Sequence, residues 1–167
     1  MDVNLDAIDR DVLRHLQRDG RLTHKELAEQ VSLSPPGLVK RLRRLERAGV
    51  LRGYMAVVDR ESVGYDLLCF VHVTLAHHQV EAVRRFRQAI VAIEEVVECH
   101  HVTGEFDYLL KVIVRNHHHL ERFLVEELTP LPGVDRIRTS VVLREVKHTT
   151  AIPVPHPVPD STETGHE

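Results

Sequence analysis

Cysteine is nearly absent: Cys69 and Cys99 are the only two in 167 residues, and each falls in an apolar, strand-like run. A disulfide framework is therefore not expected, and buried thiols in a reducing cytoplasm are the economical reading. No apolar window approaches the roughly 20 residues that span a bilayer. The opening MDVNLDAIDRD is acidic, unlike a signal peptide, so a cytoplasmic protein without membrane contact is expected. Enzyme signatures are missing too: there is no Walker loop, nucleophile elbow or paired-carboxylate motif. Thirteen histidines invite a metal, but their spacing does not supply one. His100-His101 beside Cys99 lack a CxxC or HxxxH partner, and strand neighbours point to opposite faces. His117-His118-His119 open a helix, where neighbours diverge by about 100°. No catalytic residue, metal site or cofactor is expected.

What is present centres on Thr23–Gly49, THKELAEQVSLSPPGLVKRLRRLERAG. Thr23 and Glu26 form a capping box, each side chain bonding the other's backbone N–H. Leu27, Ala28 and Val31 give this short helix one apolar face. Ser34 is a second N-cap, with Pro35 at the first helical position, where its missing N–H costs nothing. Leu38, Leu42 and Leu45 form a docking stripe, and Gly49 suits the left-handed position after the helix. A helical wheel turns Lys40, Arg43, Arg44 and Arg47 away from that stripe. This is the layout of a helix-turn-helix whose second helix enters the major groove of double-stranded DNA. From Pro35 to Arg60, seven Lys/Arg stand against Glu46 and Asp59, although the whole chain has a formal charge of −3. The small residues Pro36 and Gly37 lie at the end that would approach base edges, beside the capping Ser34.

Asp6 caps an earlier helix with Ile8, Val12, Leu13 and Leu16 on one side and Gly20 at its end. The three helices make a core of roughly 50 residues, marginal alone, so support from elsewhere is expected. Val50–Asp59 reads as a linker strand, with Tyr54, Met55, Val57 and Val58, before a turn at Gly64. The pattern then predicts strand Leu68–Leu75, helix Val80–Ile93, strand Val96–Val102, strand Asp107–Val114, helix His117–Leu128 and strand Val134–Val146. The order βαββαβ is the ferredoxin-like arrangement, a four-stranded antiparallel sheet with both helices on one face. Cys69, Val71, Val73 and Leu75 would face the helices, leaving Phe70, His72 and Thr74 on an open side suited to a second copy. From Ala151 the tail carries Pro153, Pro155, Pro157 and Pro159, which no helix or central strand accommodates. It is read as extended or disordered, with no assigned role.

Between the second and third strands runs ECHHVTGEFDYLLK. Gly104 permits backbone geometry that can aim N–H groups at an anion, and Asp107 can pair an ammonium. Such a pairing suits a zwitterion. A plain hairpin turn explains the same two residues, and both readings stay open.

Taken with LDAIDRDVLRHLQRDGRLTHKELAEQVSLSP, RLRRLERAGVLRGY and LPGVDRIRTSVVLREVK, this run resembles the Lrp/AsnC family of feast/famine transcription regulators, closest to its leucine-responsive branch. The resemblance covers about residues 4–150. It implies an α+β chain with a winged-type DNA-binding domain over 1–52 and a linker strand and turn over 53–66. A βαββαβ effector-binding and oligomerisation domain would follow over 67–150, and a flexible tail over 151–167. It implies homodimers that assemble to tetramers or octamers and an amino-acid effector bound between dimers. Carried over by position, Pro36, Gly37, Lys40 and Arg41 would face the groove. Gly104, Asp107 and Tyr108 of one subunit would hold the effector with Ser140 and Val141 of another. Gly37 stands where relatives often carry a base-contacting side chain, and Ser140 where the leucine-responsive protein has a large aromatic. Neither the operator sequence nor leucine is therefore carried over. Two alternatives are an effector-independent architectural DNA-binding protein and an enzyme resembling the siroheme decarboxylases.

Overall fold

The computed structural model describes residues 4–76 and 80–155 and divides into two compact units. The first joins the residues up to Val57 with those from Lys147 onward; the second is Val58–Val146.

In the first unit, α1 (Ala7–Arg18), α2 (His24–Gln30) and α3 (Pro35–Arg47) enclose a core of Val12, Leu13, Leu27, Ala28, Leu38, Leu42 and Leu45. The caps behave as their residue types require. Thr23 Oγ1 accepts from the Glu26 N–H at 3.2 Å while Glu26 Oε2 accepts from the Thr23 N–H at 2.8 Å. Ser34 Oγ accepts from the Gly37 N–H, and Gly49 takes φ +70° past the end of α3. Asp6 caps α1 in a box with Asp9, whose carboxylate accepts the Asp6 N–H.

The expected linker strand is not formed. Residues 52–59 have no regular structure, and Met55, Val57 and Val58 stay exposed. An alternating pattern reports an apolar face, but a strand also needs a neighbour for its backbone groups. Among the described residues the linker has none.

The second unit holds β1 (Leu67–Leu75), α4 (Val80–Ile90), β2 (Val96–His101), β3 (Tyr108–Val114), α5 (His117–Arg122) and β4 (Val134–Val141). The strands lie in the order β2-β3-β1-β4, all antiparallel. Helix α5 continues into a wider π-wound turn, Phe123–Leu128, closed where Thr129 N–H reaches back to the Leu124 carbonyl. Strand β4 is shorter than its apolar pattern suggested. Its last cross-strand tie is the Val142 N–H to the Leu68 carbonyl, where β1 runs out of partners.

Alternate residues of β1 (Cys69, Val71, Val73, Leu75) and β3 (Tyr108, Leu110, Val112, Val114) are buried against Phe86, Ile90, Leu120, Phe123 and Leu128 of the helical layer. Phe70, His72 and Thr74 take the opposite parity and lie on the open face. His119 is satisfied rather than free for a ligand. Its Nδ1 accepts the Arg115 N–H, so Nε2 carries the proton and meets Glu95 at 3.1 Å. Phe86 has no accessible surface. Phe86→Ala should destabilise this unit by about 3–5 kcal/mol, read as a lower urea midpoint of its unfolding transition.

Candidate nucleic-acid interface and ligand site

The cations of α3 separate into two groups, which a helical wheel alone does not show. Arg41 and Arg44 turn toward α1. Arg41 Nη1 meets Asp6 at 2.5 Å and Asp9 at 2.9 Å, and Arg44 Nη2 pairs with the second oxygen of Asp9. Asp9 is wholly buried. An unpaired buried carboxylate costs several kcal/mol, so the two guanidiniums are structural counter-ions as well as surface charge. Arg44 was read as part of the outward stripe and Arg41 as groove-facing; both pair with the first helix yet stay part-exposed, lining an open groove with Gly37, Lys40 and Arg47. Lys40, Arg43 and Arg47 are exposed. Arg47 folds back on its own helix, donating to the Arg43 carbonyl at 3.1 Å.

Beside these three runs an open groove of about 670 Å³, bordered by Pro36, Val39 and the imidazole of His24. His24 is the first residue of α2 and escaped the sequence reading, which followed charge on α3 alone. Ser34 and Pro36 are exposed at the same end. Gly37 is tight: a Cβ there would lie 3.1 Å from Ser34 Oγ, so a side chain would press on the cap.

Burial alone would raise the Asp6 pKa. The hydrogen bond from the Asp9 N–H and the Arg41 pairing outweigh it and hold the group below its ordinary 3.8. A lowered carboxylate pKa contributes stability that is whole above the ordinary value and is lost as the pH falls through the folded-state value.

On the open sheet face, His72, Thr74, Phe106, Arg136 and Arg138 surround a pocket of about 590 Å³ at the end of β1 nearest the Gly104 loop. The register explains the grouping: Thr74 pairs with Arg136 and His72 with Arg138, all of one parity. His72 packs on the Phe106 ring at 4.1 Å, and its Nδ1 is buried with no hydrogen-bond partner among the described residues. The two arginines were missed, although their alternation in DRIRTS is a readable signal.

The five expected effector residues are not gathered at one place in the chain. Gly104 is exposed with φ +125°, and a Cβ placed there would meet nothing within 4 Å. Asp107 is a builder of the sheet corner. Its Oδ2 accepts the Leu75 N–H at 2.7 Å where the β1–β4 register slips, and its own N–H donates to the Val73 carbonyl. Tyr108 points into the helical layer, 2% exposed, with its hydroxyl receiving Arg87 Nε at 2.9 Å and His101 stacked on its ring. Ser140 and Val141 are exposed opposite Phe70 and Cys69, several residues along β1 from Asp107. At about 3.4 Å per residue, that places them on the order of 10–17 Å apart. Among the described residues, no group of three or more His, Cys, Asp or Glu is arranged to hold a metal. Among the described residues, too, no helix is long and apolar enough to cross a membrane.

Asp9→Asn removes the charge that Arg41 and Arg44 share. The variant should lose about 1–3 kcal/mol of stability in the helix-turn-helix unit, since charge-assisted bonds to a buried group are lost but the guanidiniums left behind are partly solvated, measured by urea unfolding of the helical signal. In a separate Asp6→Asn variant the acid limb below pH 4 should become flatter, since the carboxyl held below its ordinary 3.8 is gone and its protonation no longer subtracts stability as the pH falls.

Comparison with known proteins agrees with both halves. Residues 5–52 match the family model for a winged helix-turn-helix DNA-binding domain, and residues 68–152 that for the Lrp/AsnC ligand-binding domain. The leucine-responsive regulatory protein of Escherichia coli strain K12 is 42% identical over 149 residues, 89% of this chain and 91% of that protein. A transcriptional regulator from Neisseria meningitidis, solved with L-Met, superposes with a TM-score of 0.86 at 38% identity, covering 90% of this chain and 97% of the other. A feast or famine regulatory protein from M. tuberculosis, solved with L-methionine, gives 0.80 at 36%, covering 91% and 100%. With a model match across most of its length and relatives well above 30% identity, the chain belongs to the Lrp/AsnC family of DNA-binding transcriptional regulators.

Proposed function

We propose that this protein regulates transcription in the cytoplasm by binding double-stranded DNA through α3, and that an amino acid modulates it. The observation that carries the DNA reading is the division of the α3 cations. Arg41 and Arg44 are neutralised by α1, while Lys40, Arg43 and Arg47 are exposed beside the cap at Ser34. Those three and His24 contact the duplex, with Pro36 and Gly37 allowing close approach. Arg41 and Arg44 fix the helix that carries them.

The amino-acid reading rests on two relatives solved with methionine at 38% and 36% identity. Gly104 supplies backbone donors for the effector carboxylate, and Asp107 holds the loop through Leu75. Ser140 and Val141 lie too far along the sheet to join them within one chain, so a pocket using all of them takes two subunits. The half-apolar open face around Phe70 and the exposed Met55, Val57 and Val58 support a homodimer that builds to a tetramer or octamer.

Calorimetry with L-methionine and L-leucine, paired with footprinting on DNA upstream of the protein's own gene, tests this reading. One amino acid should release or absorb heat and shift operator affinity roughly 5–150-fold, the usual span of allosteric coupling. Sequence-specific footprints with no heat and no shift for any of the twenty amino acids would leave an architectural DNA-binding protein instead. For the assembly, Phe70→Asp places a charge in the sheet contact at a cost of several kcal/mol. It should sediment as a monomer, and an unchanged sedimentation coefficient would move the subunit contact elsewhere.

A further inference from the structure

The proline-spaced tail gave the sequence reading nothing, yet its described part is ordered on α1. Three side chains of α1 hold it. Gln17 Nε2 donates to the Ile152 carbonyl at 3.0 Å, and Gln17 Oε1 accepts the Ile152 N–H at 2.6 Å. Arg14 Nε donates to the Val154 carbonyl at 3.2 Å, and Arg10 Nη1 to the Pro155 carbonyl at 3.2 Å. Residues 10, 14 and 17 are spaced four and three apart, so they share one stripe of the helix. Their acceptors run in the reverse order, which makes the segment antiparallel to α1. Between the prolines, Val154 is half-buried and packs against the apolar core of the helix-turn-helix unit.

The residue types explain why this segment docks on a helix. Pro153 and Pro155 have no N–H, so one edge of the segment lacks donors and it cannot form a central strand. Its carbonyls still need donors wherever it is covered, and long cationic and amide side chains on a helix stripe reach them. Alternating proline also pre-extends the chain, so little conformational freedom is lost on docking. The segment follows β4 with only residues 142–151 between, and β4 carries Arg136 and Arg138 at the open-face pocket. The chain thus leaves the helix-turn-helix unit through the linker and returns to it through the tail.

We propose that the outer stripe of α1 is a docking surface for an extended, proline-spaced peptide, occupied by the chain's own Ile152–Pro155. This strap is a second tether between the strand that bears the pocket and the helices that bear the DNA-contacting residues. Its role in transmitting an effector signal rests on the sensing reading; the docking itself does not.

Three measurements on the full-length protein test it. In hydrogen exchange, the Ile152 amide should be protected roughly tenfold or more over an unstructured peptide, as two ordinary hydrogen bonds require. Gln17→Ala should abolish that protection while leaving Val71 in β1 unchanged. Random-coil exchange at Ile152 in the wild-type protein would overturn the docking. In a Cys99→Ser background, Arg18→Cys with Ala151→Cys, which leaves Gln17 and Ile152 in place, should be joined within one chain by a short bis-maleimide. A cross-link formed only between chains would make the occupant a neighbouring copy and overturn the assignment in cis. Finally, Val154→Asp, which expels the strap without touching α1 or the pocket, should keep amino-acid binding by calorimetry and reduce the effector-induced shift in DNA affinity at least fivefold. An undiminished shift with the strap displaced would refute the tether. A wild-type protein with no amino-acid heat would refute the sensing reading and with it the signalling role, leaving the docking to be decided by the exchange and cross-linking results.

Discussion

Two guanidiniums close on one carboxylate, Asp9, that has no contact with solvent. Placing a charge there is expensive unless it is fully compensated, so α1 and α3 are stable together only in the arrangement that delivers Arg41 and Arg44 to it. Asp6 reinforces the lock by capping α1 and receiving Arg41 from outside. The consequence for function is subtractive. Five cations lie on α3, but Arg41 and Arg44 are paired with α1 carboxylates while remaining part-exposed, and only Lys40, Arg43 and Arg47 are exposed without a carboxylate partner of that kind. A helix fixed in this way presents those side chains from a rigid base, the condition for reading a groove rather than merely adhering to phosphate.

The sensing half obeys a different constraint. Four strands and two helices bury one face of the sheet and leave the other uncovered, so the open face is a mixture of Phe70, His72, Leu109 and Arg138. Asp107 sits where that sheet turns a corner, accepting a backbone N–H at the register slip beside Leu75. A carboxylate employed this way couples the Gly104 loop to β1 and to the neighbouring β4. Events at the loop and at the β4 arginines are therefore events in one hydrogen-bonded framework. The tail extends that framework in sequence, since the strand that carries Arg136 and Arg138 continues into the segment held by Gln17 and Arg14.

Much of the architecture was legible because it is written in local chemistry. The caps at Thr23 and Ser34, Gly49 past α3, and the strict parity of Cys69, Val71, Val73 and Leu75 all state their own structures. What escaped depended on partners distant in sequence. Asp9 falls on the same stripe as Val12, Leu13 and Leu16, and a carboxylate on an apolar stripe signals a buried counter-ion. Nothing local says that the counter-ion lies more than thirty residues away. The linker failed for the complementary reason: Tyr54, Met55, Val57 and Val58 favour a strand, but no neighbouring strand exists among the described residues. Tyr108 was given an effector role by the resemblance; its parity with Leu110 and Val112 is the local signal that its ring lies in the core. The tail was read as extended or disordered; its described part, 151–155, is extended, and the remainder of that reading lies outside the described residues. What the prolines did not announce is the set of α1 side chains that hold it.

The proposed division of the α3 cations into a pair held by α1 and a set that contacts DNA is measured by the salt dependence of DNA binding. Each lost phosphate contact lowers the slope of log K against log salt by about 0.9. Replacing Arg43 and Arg47 together by Ala should therefore reduce the slope by about 1.8 with little change in unfolding stability. Replacing Arg44 alone should leave the slope close to wild type while lowering stability, because its charge is spent on Asp9. The opposite pattern, a slope carried by Arg44 and insensitive to Arg43 and Arg47, would contradict the account.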